Sequence, residues 1–370
     1  MSLTTLPAPR WPLLRLGAAV LLTLLLAACS ESERPLESPV TLQGEIFGTF
    51  YQVTVADPLT QGEALELEKG IVAELNSVDA SMSTWKEDSE LSRFNRSPIG
   101  EWQTLSAPLI EVLGISQRVF DASNGAFDVT VGKLVNLWSF GPEARPREVP
   151  DPALIEERLE AVGMQHLELD SAGLRARRLE DIQIDLSGVA KGYATDRVAA
   201  YLARQGLEHY LVNLGGEVEV RGYRDAESAA WRIGVEVPAG GQSGVEQVLP
   251  LENMSVATSG DYRNYFEQDD RRYSHTIDPR DGRPIRHRMA SVTIVHDSNA
   301  EADAWATAMS VLGEREGLQV AVREGIAVLM LVREDERWQP LASPAFAEYF
   351  GNALMSEMGA RIVGENKLSE

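Results

Sequence analysis

The stretch "DLSGVAKGYATD", Asp185–Asp196, decides how the middle of the chain is read. A strand-like apolar run, Ile182–Leu186, stops at Ser187–Gly188, and a helical pattern starts with Lys191 and Gly192 already in its first turn. Glycine there weakens a helix, and Ser-Gly before it leaves main-chain N–H groups without obvious partners. Two readings are open: a tight strand-to-helix turn, or an anion site on exposed N–H groups and the positive end of a helix dipole.

Outward from this stretch, elements of both kinds appear. "EIFGTFYQVTVAD" (Glu45–Asp57) reads as a strand with a glycine interruption. Leu67, Ile71, Leu75 and Val78 form a helical stripe. "APLIEVLGISQRVFDASNG" reads as a second helix with Gly125 after its end. A short helix is expected near Pro152–Val162 and a hairpin around "DSAG". The pattern then predicts a helix through Ala194, Val198 and Leu202, and a hairpin turning at Gly215–Gly216. Strand-like runs follow at Trp231–Val237, Gln247–Leu251, Ser255–Ser259, Arg272–Ile277 and Ser291–His296. A helix over Ala300–Leu312 and a strand at Ile326–Val332 complete it. Strands and helices mix without strict alternation, which predicts an α+β fold with mixed or antiparallel sheets and packed helices. One catalytic domain over residues 41–355, in one piece or two intimate halves, and a tail over 356–370 are expected.

The first residues read as a leader. Arg10 and Arg15 precede an apolar run, Leu16–Ala28, too short to span a bilayer comfortably. The run ends at "LAAC", and a polar segment follows, so residues 1–28 read as a signal peptide and 29–40 as a tether. Small residues before a lone cysteine resemble the lipobox of bacterial lipoproteins, which implies acylation of Cys29 and a stable membrane anchor. With one cysteine in the chain, no intrachain disulfide and no cysteine-based zinc site is possible. The formal charge is −22, and about −24 without a leader that carries two arginines and no acid. A nucleic-acid partner, which needs a basic face, is excluded on this ground.

Few residues stand out chemically. Asp303 and Thr307 lie at i and i+4 in "SNAEADAWATAMSVLG" and share a helix face. A carboxylate and a hydroxyl on one face suit a hard cation such as Mg²⁺; a dipole-favouring acid near a helix start is the plainer explanation. His275 precedes the turn "DPRDG" (Asp278–Gly282) and is the histidine best placed to accept a proton, although a single histidine ending a strand is more often structural or at the surface. No histidine pair has zinc spacing. "SMSTW" and "NGAFDVTVG" set small polar residues beside Trp85 and Phe127; each reads more simply as a core aromatic flanked by turns, and the alternative is an aromatic packed on a flat heterocycle. "NLGG" reads as a hairpin turn rather than a dinucleotide fingerprint.

Taken as an ordered set after a lipobox, "MSTW", "GAFDVTVGKLVNLW", "DLSGVAKGYATD", "NLGGEV", "TSGDYRNYF", "SHTIDPRDGRPI" and "ADAWATAMSVLG" closely resemble the ApbE family of bacterial FAD:protein FMN transferases, over roughly residues 40–350. The resemblance implies that the FMN half of FAD passes to a Thr or Ser hydroxyl of a target protein through a phosphoester, with release of AMP and dependence on Mg²⁺. It implies a metal held by Asp303, Thr307 and the Ala190 carbonyl, and an FAD site lined by Phe47, Met82, Trp85, Ala126, Phe127, Asp128, Ser187, Tyr193 and Ile277. Lys191 would neutralise phosphate, and His275 matches the proposed base. Expected acceptors are flavin-bearing subunits of Na⁺-translocating NADH:quinone reductase or Rnf type, met on the periplasmic face of the inner membrane. Ala306 departs from members with a second aspartate before the threonine, and Lys191 from members with glutamate there. An FAD pyrophosphatase and a non-catalytic flavin carrier are the alternative readings.

Overall fold

A computed structural model of the protein describes residues 33–143, 145–225, 227–237, 244–260, 265–269, 271–334 and 337–364. The leader, Cys29 and residues 365–370 lie outside the described residues, as does part of "TSGDYRNYF".

The centre is a nine-stranded sheet. Its strands are numbered β1 (Val40–Ile46), β2 (Thr49–Val55), β3 (Tyr210–Leu214), β4 (Glu217–Arg221), β5 (Ser255–Gly260), β6 (Met289–His296), β7 (Ala327–Glu334), β8 (Arg337–Ala342) and β9 (Arg361–Ile362). They lie side by side in chain order, antiparallel throughout except for the parallel β8–β9 pair. The helices are α1 (Gln61–Met82), α2 (Glu90–Asn95), α3 (Ala107–Ala122), α4 (Gly132–Leu137), α5 (Pro152–Leu159), α6 (Ala190–Arg204), α7 (Asn299–Glu324) and α8 (Pro344–Glu357). The fold is therefore α+β.

Period-2 alternation splits the strands between two cores. Val53, Val212, Ile294 and Met330 face a layer made by α1, α3, α6 and α7. Val218, Val220, Val295 and Leu331 face the opposite way, onto the hairpin Trp231–Val237/Gly244–Leu251 and α8. A third, aromatic cluster joins Trp138, Phe266, Tyr273 and Ile277.

Several boundaries differ from the sequence reading. Glu45–Asp57 is a hairpin, not one strand: Ile46 pairs with Thr49, and the chain reverses at Phe47 and Gly48. Ile182–Leu186 joins no ladder beyond a single bridge between Gln183 and Val131. Asp185 donates to the Val129 carbonyl and the Gln183 carbonyl accepts the Gly132 N–H, while the Asn95 side chain serves Ile184. Its Nδ2 donates to the Ile184 carbonyl and its Oδ1 accepts the Ile184 N–H, both at 2.8 Å. Arg272–Ile277 is broken at His275 and Thr276 into two short strands. The expected helix end at Leu312 coincides with a break in α7 at Gly313, beyond which the helix resumes to Glu324.

Both expected domain limits fall inside the fold. Residue 355 lies within α8, and β9 continues the central sheet beyond it. At the other end Gln61 donates to the Arg34 carbonyl and Leu36 to the Leu59 carbonyl, so the last part of the expected tether is fastened to the start of α1.

Candidate functional site

Helices α6 and α7 pack together through Gly192. A Cβ on Gly192 would stand 2.3 Å from the Asn299 carbonyl oxygen and 2.8 Å from the Asp303 Cβ. The bare Cα lets α7 press its Asp303 carboxylate against the start of α6, where Oδ2 accepts the Gly192 N–H at 3.0 Å. Gly188 does the same for the loop: a Cβ there would stand 3.0 Å from Thr307 Oγ1 and 3.2 Å from the Phe127 ring.

These contacts answer the question raised by Asp185–Asp196, and they correct half of it. The N–H groups expected to be bare are largely taken. Ser187 donates to Asp185 Oδ1 at 2.8 Å, Val189 and Ala190 to the Leu186 carbonyl, and Gly192 to Asp303. The anion resting on this helix start is the protein's own carboxylate.

The far end of the same stretch anchors α7. Asp196 accepts from Ser298 Oγ (2.8 Å), the Asn299 N–H (2.6 Å) and the Ala300 N–H (3.0 Å), and so caps the helix that carries Asp303 and Thr307. The Asn299 side chain donates to the Val218 carbonyl at 2.7 Å, tying that helix start to β4.

A cavity of about 720 Å³ opens beside this junction. Of the expected residues, it brings together Ala126, Phe127, Asp128, Ser187, Lys191, His275, Ile277, Asp303 and Thr307. Phe127 and Ile277 supply buried apolar walls. Asp128 Oδ1 accepts the Thr130 N–H and hydroxyl at 2.8 and 2.7 Å, and burial pushes its carboxyl up to about 6. His275 follows a short strand and meets the Phe140 ring edge-on at 6.3 Å. The stack of Trp138 on Tyr273 and the bond from Trp138 Nε1 to the Gly282 carbonyl (2.8 Å) brace the turn beyond it.

Five expected residues lie off the lining. Phe47 forms the β1–β2 turn, while its neighbours Phe50 and Gln52 reach the cavity. Met82 is buried in the helical core, and Trp85 is 69% exposed. Tyr193 is buried and its hydroxyl donates to Glu111 at 3.0 Å, facing α3. Ala190 opens α6 beside Lys191.

Sequence reasoning missed Glu217, Arg232 and Thr258, which also line the cavity. The stretch "EVEV" reads only as part of a hairpin; Glu217 and Glu219 are both buried because α6 and α7 cover that face of β4. Lys191 donates to Glu217 Oε1, and its Nζ lies 3.9 Å from Asp303 Oδ1. Burial raises both carboxyls above their ordinary range, with Lys191 opposing the rise.

Asp128, Asp185, Glu217 and Asp303 line the cavity against Lys191 and Arg232. Such a lining repels a diphosphate unless a cation is added. Asp303 and Thr307 offer hard oxygen donors one helical turn apart, and the lysine already drawn to the carboxylates marks where positive charge is favoured. The residues present therefore fit a magnesium ion.

A sequence profile of the ApbE family matches residues 47–330. The chain belongs to the ApbE family. An ApbE relative named FAD:protein FMN transferase, from Vibrio cholerae serotype O1, is 41% identical over 326 residues, covering 88% of this chain and 96% of its own. Another of that name, from Salmonella typhimurium, is 38% identical over 332 residues, covering 88% and 94%. Among solved ApbE structures, the Vibrio cholerae flavin transferase superposes with a TM-score of 0.77 at 39% identity, over 84% of this chain and 99% of that one. The apo Pseudomonas stutzeri flavinyl transferase gives 0.77 at 36%, over 85% and 97%.

One consequence for stability can be read from β4. Burial, with Asp196 alongside, pushes the Glu219 carboxyl up to about 8, although Arg221 Nε donates to it at 3.0 Å. The folded state thus holds a proton that the unfolded chain releases near pH 4.5. Stability is expected to fall as pH rises from about 5 to 8.5, and Glu219→Gln to remove up to about 5 kcal/mol of that fall. Denaturant unfolding of both proteins at pH 5, 7 and 8.5 checks this; parallel slopes would count against it.

Proposed function

We propose that this cavity binds FAD and that the protein transfers its FMN half to a Ser or Thr hydroxyl of another protein. The observation that carries the reading is the convergence of His275, Lys191, Asp303 and Thr307 on one cavity of about 720 Å³, a size suited to a dinucleotide. Family membership supports it, through relatives named FAD:protein FMN transferase.

In the reaction, the acceptor oxygen forms a bond to the FMN phosphorus. The bond from that phosphorus to the bridging diphosphate oxygen breaks, and AMP leaves with the bridging oxygen. His275 takes the hydroxyl proton. Lys191 offsets diphosphate charge, and the Phe127 and Ile277 walls hold the isoalloxazine away from water. Mg²⁺ held by Asp303, Thr307 and the Ala190 carbonyl would supply positive charge opposite the phosphate oxygens. Positioning and charge suffice for in-line displacement, so no covalent enzyme intermediate is needed.

We further place the protein at the inner membrane, acylated at Cys29 and facing the periplasm. Its acceptors are flavin-bearing subunits of Na⁺-translocating NADH:quinone reductase or Rnf type. No helix among the described residues is long and apolar enough to cross a membrane.

The test is the mass of an acceptor domain after incubation with this protein, FAD and Mg²⁺. A covalent FMN adduct is expected. Free FMN and AMP with an unmodified acceptor would make the protein a pyrophosphatase, and bound but intact FAD would make it a carrier.

A further inference from the structure

Glu217 begins β4 directly after the Gly215–Gly216 turn, lines the cavity, and is 2% exposed. One of its oxygens, Oε1, accepts the Lys191 ammonium; the other, Oε2, has no partner in hydrogen-bond geometry, and the Thr258 main-chain N–H stands near enough only to lower the carboxyl slightly. A fully buried carboxylate oxygen without a partner is costly and calls for an explanation. Asp303 stands near enough to repel the Glu217 charge, and its Oδ1 lies 3.9 Å from the same ammonium. Two buried carboxylates thus share one cation. The lysine reaches them from the cavity side: its side chain is 34% exposed, while theirs are 3% and 4% exposed.

We propose that Glu217 is a further ligand of the divalent cation held by Asp303 and Thr307, and that Lys191 is the resident cation that neutralises this site until the metal displaces it. The inference rests on the reading of Asp303–Thr307 as a metal site. Its chemistry is that of hard-cation binding: magnesium takes one or two carboxylates and leaves its remaining positions to water and phosphate. Glu217 supplies the second carboxylate, from the sheet rather than from α7, with a buried oxygen that no donor holds in hydrogen-bond geometry. A lysine suits the exchange because its charge is compact and its stem long, so the ammonium can turn into the cavity while α6 stays in place. The displaced ammonium then meets the diphosphate. The same side chain would compensate the carboxylates in the empty protein and the phosphates in the loaded one.

The experiment uses Mn²⁺ alone, without FAD or acceptor, and follows free Mn²⁺ by electron paramagnetic resonance and unfolding temperature by calorimetry. The native protein is expected to bind Mn²⁺ and gain stability from it. Glu217→Gln is expected to weaken Mn²⁺ binding at least tenfold. Lys191→Met, which removes the competitor, is expected to tighten it about fivefold or more and to enlarge the thermal gain. Native-like titration by Glu217→Gln removes the glutamate from the ligand set. Unchanged or weaker binding by Lys191→Met removes the resident-cation role. If Glu217→Gln does not fold, Glu217→Asp replaces it, with the charge kept and the oxygens withdrawn by one methylene; native affinity there would equally overturn the assignment. A native protein that takes up no Mn²⁺ would overturn the metal reading itself, a result distinct from loss of Glu217 alone.

Discussion

Asp303→Ala is expected to lower FMN transfer at least a thousandfold, and Asp303→Asn nearly as far. The two variants should part company in stability. Asp303 has two duties in the structure: it accepts the Gly192 N–H at the α6–α7 junction, and it brings a negative charge into the cavity. Alanine removes both. The Gly192 N–H then loses its acceptor in a buried place, which costs about 1–3 kcal/mol. Asparagine keeps an acceptor oxygen in the same shape and removes only the charge, so its unfolding free energy should stay within about 1 kcal/mol of the native value. The thousandfold loss corresponds to about 4 kcal/mol of transition-state stabilisation, a reasonable share for one ligand of a cation acting on a dissociating diphosphate. Single-turnover adduct formation, measured with denaturant unfolding on the same samples, separates the two duties. Native transfer rates in Asp303→Asn would detach this carboxylate from the chemistry.

His275→Ala is expected to leave FAD affinity within about threefold of native and to slow transfer about 10²–10⁴-fold, the usual worth of one positioned proton acceptor. The geometry predicts this division. His275 is one of two irregular residues between short strands, and the buried apolar walls are given by Phe127 and Ile277. The turn that follows is braced by Trp138 and by the Asp278–Arg280 pair, so removing the imidazole should not unseat it. Flavin fluorescence gives the affinity and adduct mass gives the rate. A parallel loss in both would make His275 a binding residue, and an undiminished rate would remove it as the base.

The sequence made α7 and the turn at Gly215–Gly216 legible because each obeys a local rule: a helical spacing for Asp303 and Thr307, a glycine pair between alternating runs. It was silent where a distant side chain stood in for local structure. Ile182–Leu186 has a strand's apolar pattern because it is buried, yet its main chain is held by one bridge to Val131, a bond from Asp185 N–H to the Val129 carbonyl, and the Asn95 amide, eighty-nine residues away from Ile184 in the chain. Glu217 was hidden for a related reason. Alternation of glutamate with valine reads as a wet face and a dry face, and only the packing of α6 and α7 makes both dry. The anion site read at Asp185–Asp196 was right about the electrostatics and incomplete about the occupant: Gly192 receives a carboxylate contributed from residue 303.

The fastening of Arg34 and Leu36 to the start of α1 has a geometric consequence. With an acyl anchor at Cys29, four residues would separate the lipidated cysteine from the first clamped one, so the five Cα steps between them would span at most about 18 Å. The enzyme would then work as a grazing machine, held close over the bilayer and free mainly to swivel.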